Sequence, residues 1–500
     1  MGFSALDYGV LIVYLIGITA FGALFRRSQR TVEDYFIGAR RTHWLVISLS
    51  IVATETSTLT LIGVPAIAYA AYAHPEEGGT LTYLQVVLGY IVARIVISAI
   101  LIPAYFQGGL LTAYQLLDRR FGPKAKHFTA SLFLLMRSLS EGVRLFATSL
   151  VVSAVIGASL PGLPHLWLWS VILVGALTLI YTYEGGMAAV IWTDLIQFAI
   201  YVAGSLLAGY QLLKLIPGGW QTVAALGSEA GKFQVVSFSW DLSLPFTFWA
   251  GLVGGTFLTM ASHGTDQLLV QRLFTCRSQR DSQKALIASG FIVFLQFAFF
   301  LTVGIMLYAY YRFHPVPALT SNDEIFPTFI VHHLPPGISG LVIAAIFAAA
   351  MSTLSGALNA MSSTTVIDFY KPLLAKDRPE AHLLAVSRWF TAFWGVVLIG
   401  VALLARNWGS VFTAGLSIAS IVWGPMLGAF LLGVLTRRAN QAGVMTGIGV
   451  SLAAMILVKV FTPLAWTWYV LLGTAICASV GYAVSLAVPA RSRTIGVTSS

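Results

Sequence analysis

Glu55 lies inside a stretch otherwise made of apolar and hydroxyl-bearing residues, SLSIVATETSTLTLIGVPA at 48–66. A carboxylate placed among such residues is costly to keep out of water. It earns its position by serving a cation, by binding a substrate amine, or by pairing with an arginine that holds two helices together. A second stretch, AAIFAAAMSTLSGALNAMSSTT at 344–365, repeats hydroxyls at three- and four-residue spacing on a helix of small residues. The first stretch ends in the breaker Gly63-Val64-Pro65. A broken helix frees backbone carbonyls, and a hydroxyl-rich helix adds side-chain oxygens. Together they suit an ion or the wall of a polar cavity.

A third constellation is Arg137, Ser140, Glu141 and Arg144, spaced along one helical stripe. A guanidinium in a dry pocket grips a carboxylate bidentately. The same spacing also lets Arg137 or Arg144 pair with Glu141, with no ligand involved. Thr259, Ser262 and His263 form a smaller polar group; a lone histidine there is a hydrogen-bonded structural residue, a ligand or a proton relay. Gln85, Gln296 and Ser417 are further polar candidates inside apolar runs. There is no nucleophile–base pairing, no His/Cys metal spacing and no phosphate loop, so the chain does not read as an enzyme. No segment resembles a selectivity filter, which argues against a channel.

The elements that must position these residues are membrane spans. Of 500 residues, 57% are hydrophobic and only 10% charged. A soluble fold could not cover itself with so few polar groups, whereas a bilayer requires none on its lipid face. Apolar runs near 5–25, 43–72, 79–105, 127–157, 166–183, 188–213, 242–270, 285–311, 334–366, 384–404, 408–435, 440–462 and 465–488 predict about thirteen transmembrane helices.

The net charge of +10 could suggest nucleic acid. The basic residues instead sit in short clusters between apolar runs, as orientation signals do, and no nucleic-acid partner is expected. Clusters at Arg26–Arg41, Arg119–Lys126, Arg272–Lys284, Lys371–Arg378, Arg437–Arg438 and Arg491–Arg493 fall after alternate helices. The intervening loops hold only Lys214, Lys232, Arg312 and Arg406, besides acidic and Pro/Gly-rich stretches such as His74–Glu77 and Pro315–Glu324. This places the N-terminus outside and the C-terminus in the cytoplasm. The first run, with Asp7 ahead and Arg26-Arg27 behind, reads as a retained anchor rather than a cleaved signal. No soluble domain is expected at either end. Cys276 and Cys477 read as two ordinary thiols.

Several of these pieces resemble the sodium:solute symporter family. Ser50–Pro65 resembles its broken core helix, and RRFG at 119–122 the loop before the third core helix. EGGMAAVIWTDLIQ at 184–197, DQLLVQR at 266–272 and AAAMSTLSGALNAMSSTTVIDFY at 348–370 resemble its signatures, in order along nearly the whole chain. The likeness is nearest to the proline and sialic-acid branches. It implies an all-α integral membrane protein of LeuT-type fold: a 5+5 inverted repeat over 43–213 and 242–436. A peripheral helix and loop (1–42) come before it, and two helices and a tail (437–500) after it.

The resemblance also implies ligands. Sodium, a hard cation, takes oxygen donors. The family's main site matches the carbonyls of Ala53, Thr56 and Ala349 and the hydroxyls of Ser352 and Thr353. A second sodium position of some members matches Ser352, Ser355 and Asp194, although Gly356 stands where a further hydroxyl is expected. Asp194 otherwise reads as a helix-start cap at the cytoplasmic interface. Proline-transporting members have an aspartate where Glu55 stands. Pocket positions match Ser57, Thr60, Gln85 and Ser140, with Arg137 and Arg144 one turn either side of the arginine that grips the carboxylate in sialic-acid transporters. Thr259, Ser262, His263, Gln296 and Ser417 fall near the same pocket. The implied function is sodium-coupled import of a small organic solute, an amino acid such as proline or a carboxylate such as sialic acid, by alternating access across a bacterial inner membrane. No organic cofactor is implied, and a monomer is sufficient. The alternatives are a proton-coupled transporter on the same fold, with Glu55 or His263 titrating, and a solute sensor that does not transport.

Overall fold

The computed structural model describes residues 4–70, 79–159, 165–316, 319, 322–405 and 411–488. Its helices, in chain order, are α1 (Ala5–Ala23), α2 (Val32–Ile37), α3 (Trp44–Glu55), α4 (Thr58–Tyr69), α5 (Leu84–Phe106), α6 (Tyr114–Phe121), α7 (Pro123–Ser159), α8 (Leu166–Leu215), α9 (Trp220–Glu229), α10 (Gly255–Gly264), α11 (Gln267–Phe274), α12 (Gln279–Tyr310), α13 (Ile325–His333), α14 (Ile338–Thr364), α15 (Lys371–Leu374), α16 (Glu380–Ala405), α17 (Val411–Leu435), α18 (Gln441–Phe461) and α19 (Tyr469–Ala487). Among the described residues, eight helices are long and apolar enough to cross a bilayer, and the bent pair α3–α4 reaches the same length and apolarity when its two halves are taken together. A helix count of thirteen is finer than length and composition establish.

One of those eight is two helices joined at a kink. The 50 residues of α8 would run about 75 Å at 1.5 Å per residue, far beyond a hydrocarbon core of about 30 Å. The chain turns at Gly186, where φ is +55° and ψ is −151°. A Cβ there would meet the Tyr35 carbonyl oxygen at 2.6 Å, so only glycine fits both the conformation and the space.

The outside of the bundle is apolar: Val13, Trp389, Val396 and Phe461 are each at least two-thirds exposed, as lipid contact requires. The centre is α14, buried along almost its whole length. Its alanines, serines and glycines let α8, α3 and α1 approach closely, which is how helices pack where no water drives them together. At its N-terminal end, Asp7 of α1 accepts hydrogen bonds from the Gly337 and Gly340 amides, both at 2.7 Å, at the positive end of the α14 dipole. The first run is thus built into the bundle.

The break in the second span lies upstream of the expected Gly-Val-Pro. α3 ends at Glu55, α4 starts at Thr58, and the two are bent by 66°. Gly63, Val64 and Pro65 lie inside α4, where proline is tolerated because packed neighbours surround the freed carbonyl. The Thr56 hydroxyl donates to the Val52 carbonyl at 2.8 Å, closing off α3, and Ser57 adopts an extended conformation.

The loop stretches 71–78 and 406–410 and the tail 489–500, which carry His74–Glu77, Arg406 and Arg491–Arg493, lie outside the described residues. So does part of Pro315–Glu324 and the side chain of Ser417 on α17.

Candidate solute and cation site

The break redirects two backbone amides. In a continuous helix the Ser57 N–H would bond the Ala53 carbonyl and the Thr60 N–H would bond that of Thr56. Here Ser57 N–H goes to Glu55 O at 3.1 Å and Thr60 N–H to Ser57 O at 2.9 Å. The Ala53 and Thr56 carbonyls therefore lose their helical donors. Facing them on α14, the Thr353 hydroxyl donates to the Thr54 carbonyl at 2.9 Å and to Ala349 O at 3.2 Å. Ser352 lies one residue away and is fully buried. The Thr353–Thr54 bond brings the α14 segment that carries Ala349, Ser352 and Thr353 against the break flanked by Ala53 and Thr56. They present carbonyl and hydroxyl oxygens, the donor chemistry that suits sodium.

Behind this set sits Asp194, fully buried in the second half of α8. It is no helix-start cap, because α8 turns eight residues earlier at Gly186. Its carboxylate accepts from Ser352 (2.6 Å), Ser50 (2.5 Å), Thr54 (3.3 Å) and the Arg272 guanidinium (3.0 Å). Arg272 belongs to α11 and is itself fully buried. Reading it as a loop charge is corrected: it lies within the bundle, paired with a carboxylate. Ser355 donates to its own helix at Ser352 O, 3.0 Å, rather than to Asp194.

Glu55 is paired as well. The Arg94 guanidinium of α5 donates to it, and His263 Nε2 lies 3.4 Å from it and 3.0 Å from Arg94. Of the three readings of Glu55, the arginine pair is the arrangement present. Arg94 was missed in the sequence, although a charge within the apolar run 79–105 is the same signal that singled out Glu55.

Arg137 bonds Glu141 at 2.7 Å and also donates to Asp266, the cap of α11, which in turn accepts from Trp423 at 3.0 Å. It is a tied structural cation. Arg144 keeps a single long contact, 3.4 Å to the Glu141 oxygen that already serves Arg137, and its side chain stays 22% exposed. Of the two guanidiniums in the wall of the adjoining cavity, it is the one held only by a long contact and not fully buried.

A cavity of about 140 Å³ opens beside these groups. Glu55, Ser57, Thr60, Arg137, Arg144, Thr259, Ser262 and His263 line its polar side, and Tyr83, Tyr90, Phe297 and Trp423 its aromatic side. A narrow cleft of about 10 Å³, room for about one water, runs from Arg144 and Glu141 to Ser57 and Thr353. It shares Ser57, Leu59 and Arg144 with the larger cavity and reaches Thr353.

Three expected pocket residues lie elsewhere. Gln85 is fully buried and spends its amide on Thr82 O, Phe246 O and the Ser237 amide, so it ties a loop rather than a solute. The Ser140 hydroxyl points along its own helix to Met136 Sδ, 3.9 Å away. Gln296 donates to the Thr56 hydroxyl at 2.7 Å, bracing the break from the side away from the cavity. The aromatic wall was not assigned from sequence, where rings in apolar runs look alike.

The family model for the sodium:solute symporter family matches residues 35–450. The chain belongs to the sodium:solute symporter family. The sodium/sialic acid symporter NanT of Aliivibrio fischeri is 30% identical over 491 residues, covering 96% of this chain and 93% of that protein. The human sodium-coupled monocarboxylate transporter 1 is 29% identical over 479 residues, covering 92% and 75%. A solved structure of a Na+-coupled sialic acid symporter, substrate-bound and outward-open, superimposes with a TM-score of 0.86 at 27% identity, covering 97% of this chain and 98% of that one. The symporter has the LeuT-type fold and is a multi-pass membrane transporter of a small solute, coupled to sodium, and not an enzyme. Sodium is its co-transported ion, and the oxygen set at the α3–α4 break fits that ion.

Proposed function

We propose that this symporter imports a small organic carboxylate together with sodium. The observation that carries this reading is Arg144, a guanidinium in the cavity wall with one weak contact and exposed donors. Charge balance supports it. The cavity region holds three carboxylates, Glu55, Glu141 and Asp266, and three guanidiniums, Arg94, Arg137 and Arg144. A carboxylate entering beside one sodium ion keeps that balance. Glu55, engaged by Arg94, is poorly placed to receive an amine, which favours a carboxylate over a zwitterion such as proline. The two relatives named for sialic acid and for monocarboxylates point to the same chemistry.

Sodium, held between Ala53, Thr56, Ala349, Ser352 and Thr353, ties the broken span to α14. The cleft from Thr353 to Arg144 then makes the organised carbonyls and the solute pocket neighbours. Coupling follows because sodium stabilises the conformation in which the break and α14 meet, and the solute binds that conformation better. The runs 43–213 and 242–436 act as two inverted repeats that rock about this centre. The N-terminus is outside, the C-terminus is in the cytoplasm, the membrane is a bacterial inner membrane, and one copy suffices. An inward potential adds about 2.3 kcal/mol per net charge per 100 mV to any charged complex.

The test is uptake into proteoliposomes of a panel of sialic acid, short monocarboxylates, proline, other amino acids and galactose, with and without an inward sodium gradient. The expected result is accumulation of a carboxylate only with sodium. Proline or galactose accumulating instead, with carboxylates inert, would overturn the assignment.

A further inference from the structure

We infer that the Arg272 guanidinium, not a sodium ion, is the cation partner of Asp194, so that the transporter carries one sodium per solute. The inference rests on the proposed sodium-coupled uptake and fixes its ion count.

Asp194 is held by donors of the chain itself. Its two oxygens take four donors: Ser352 on one, and Ser50, Thr54 and Arg272 on the other. Arg272 is equally committed. Its Nε donates to the Ser50 hydroxyl at 3.0 Å, its Nη1 to Leu268 O at 2.7 Å and its Nη2 to Asp194. Both side chains are fully buried, so the pair neutralises itself without water or an external ion.

The guanidinium lies against Gly356. A Cβ at 356 would lie 2.7 Å from Arg272 Nη2 and 3.0 Å from Nη1. Real side chains do not approach that closely. The residue that lacks a side chain is therefore the one whose side chain would displace the guanidinium. Arg272 closes the DQLLVQR segment that resembles a family signature, so what sets this chain apart is position 356: the oxygen set there is one hydroxyl short, beside a fixed positive charge. Ser355 completes the picture by turning its hydroxyl back onto Ser352 O.

The guanidinium is tethered and cannot be transported. It supplies the charge Asp194 needs in every conformation that keeps the pair, and it leaves the α3–α14 oxygen set as the place where sodium enters and leaves. With the cavity charges balanced, one sodium and one monocarboxylate then travel as a neutral complex.

The decisive experiment counts radioactive sodium bound per chain at equilibrium in the purified wild-type protein. The ratio of sodium to solute flux is then measured in proteoliposomes. The expected result is about one sodium per chain, a flux ratio of about 1, a Hill coefficient of about 1 for sodium, and no change in any of these in Ser355→Ala. A count of about two that falls to about one in Ser355→Ala would overturn the inference and leave sodium-coupled uptake standing. Binding of no sodium, with uptake indifferent to it, would overturn the coupling reading itself.

Discussion

The Ser352 hydroxyl of α14 donates to the Asp194 carboxylate of α8 across 2.6 Å. Through that bond the proposed cation site and the buried Asp194–Arg272 pair share one residue. Asp194 also accepts from Ser50 and Thr54 on α3, the first half of the broken span. One carboxylate therefore sets the spacing of the two elements that must meet around sodium, without itself needing to touch the ion.

Asp194→Asn is expected to destabilise the protein strongly. Removing one member of a fully buried ion pair leaves the other charge without compensation, at a cost of about 3–5 kcal/mol. Combining it with Arg272→Gln removes both charges, and much of the loss should return. Thermal unfolding of the purified single and double variants in detergent checks this, and equal instability in both would contradict it.

Arg137 and Arg144 should separate cleanly. Arg144→Gln removes donors that a carboxylate ligand would use; charged hydrogen bonds contribute about 1.5–3 kcal/mol, so the solute KM should rise about tenfold or more while the protein remains well folded. Arg137→Gln leaves Asp266 and Glu141 short of a buried partner and should lower thermal stability and yield instead. Solute kinetics and melting curves on both variants decide between these roles. A normal KM in Arg144→Gln would remove the carboxylate grip.

Lys232 offers a pH test outside the spans. Its ammonium donates to the carbonyls of Ala68, Tyr69, Ala70 and Gly79 at 3.0–3.2 Å and lies 4.3 Å over the Tyr308 ring, fastening the C-terminal end of α4. Burial, with Arg312 nearby, pushes it down from 10.5 to about 8. The folded value lies below the unfolded one, so between the two the unfolded chain binds more protons. Global stability is therefore not lost in that window. What is lost, as pH rises through about 8, is the charge that holds the four carbonyls. Uptake should change with an apparent midpoint there, and Lys232→Met should abolish that limb of the pH profile. A profile identical in the variant would assign the limb to another group.

The sequence showed much of this in advance, and the omissions have physical causes. Hydroxyl spacing and the helix break marked the stretches 48–66 and 344–365, while the resemblance to the family picked Ala53, Thr56, Ala349, Ser352 and Thr353 within them, since close packing of small residues would read the same from spacing alone. Glu55 was visible as a charge in lipid, but its partner was not, since Arg94 comes from another helix and only the tertiary fold joins them. Arg272 was counted with the basic loop clusters because that count sees sign and position, not burial. The break was placed at Pro65 instead of Thr56 because proline is the stronger local signal. A packed neighbour absorbs it, while a threonine hydroxyl bonded to Val52 O ends the helix. Gln85 and Gln296 were read as solute contacts, but amides in such bundles serve backbone groups and hinges equally well.

The most direct test of the central claim is the sodium-activation curve of carboxylate uptake in proteoliposomes for wild type, Thr353→Ala and Thr302→Ala. Thr302 is the control, since its hydroxyl bonds only its own helix at Ala298 O, 2.8 Å. Loss of one cation ligand at about 1.4 kcal/mol would shift half-activation about tenfold, so the Thr353→Ala curve should move to higher sodium by at least that, with Thr302→Ala superimposed on wild type. Coincidence of all three curves, or uptake driven by a pH gradient with no sodium present, would contradict the account.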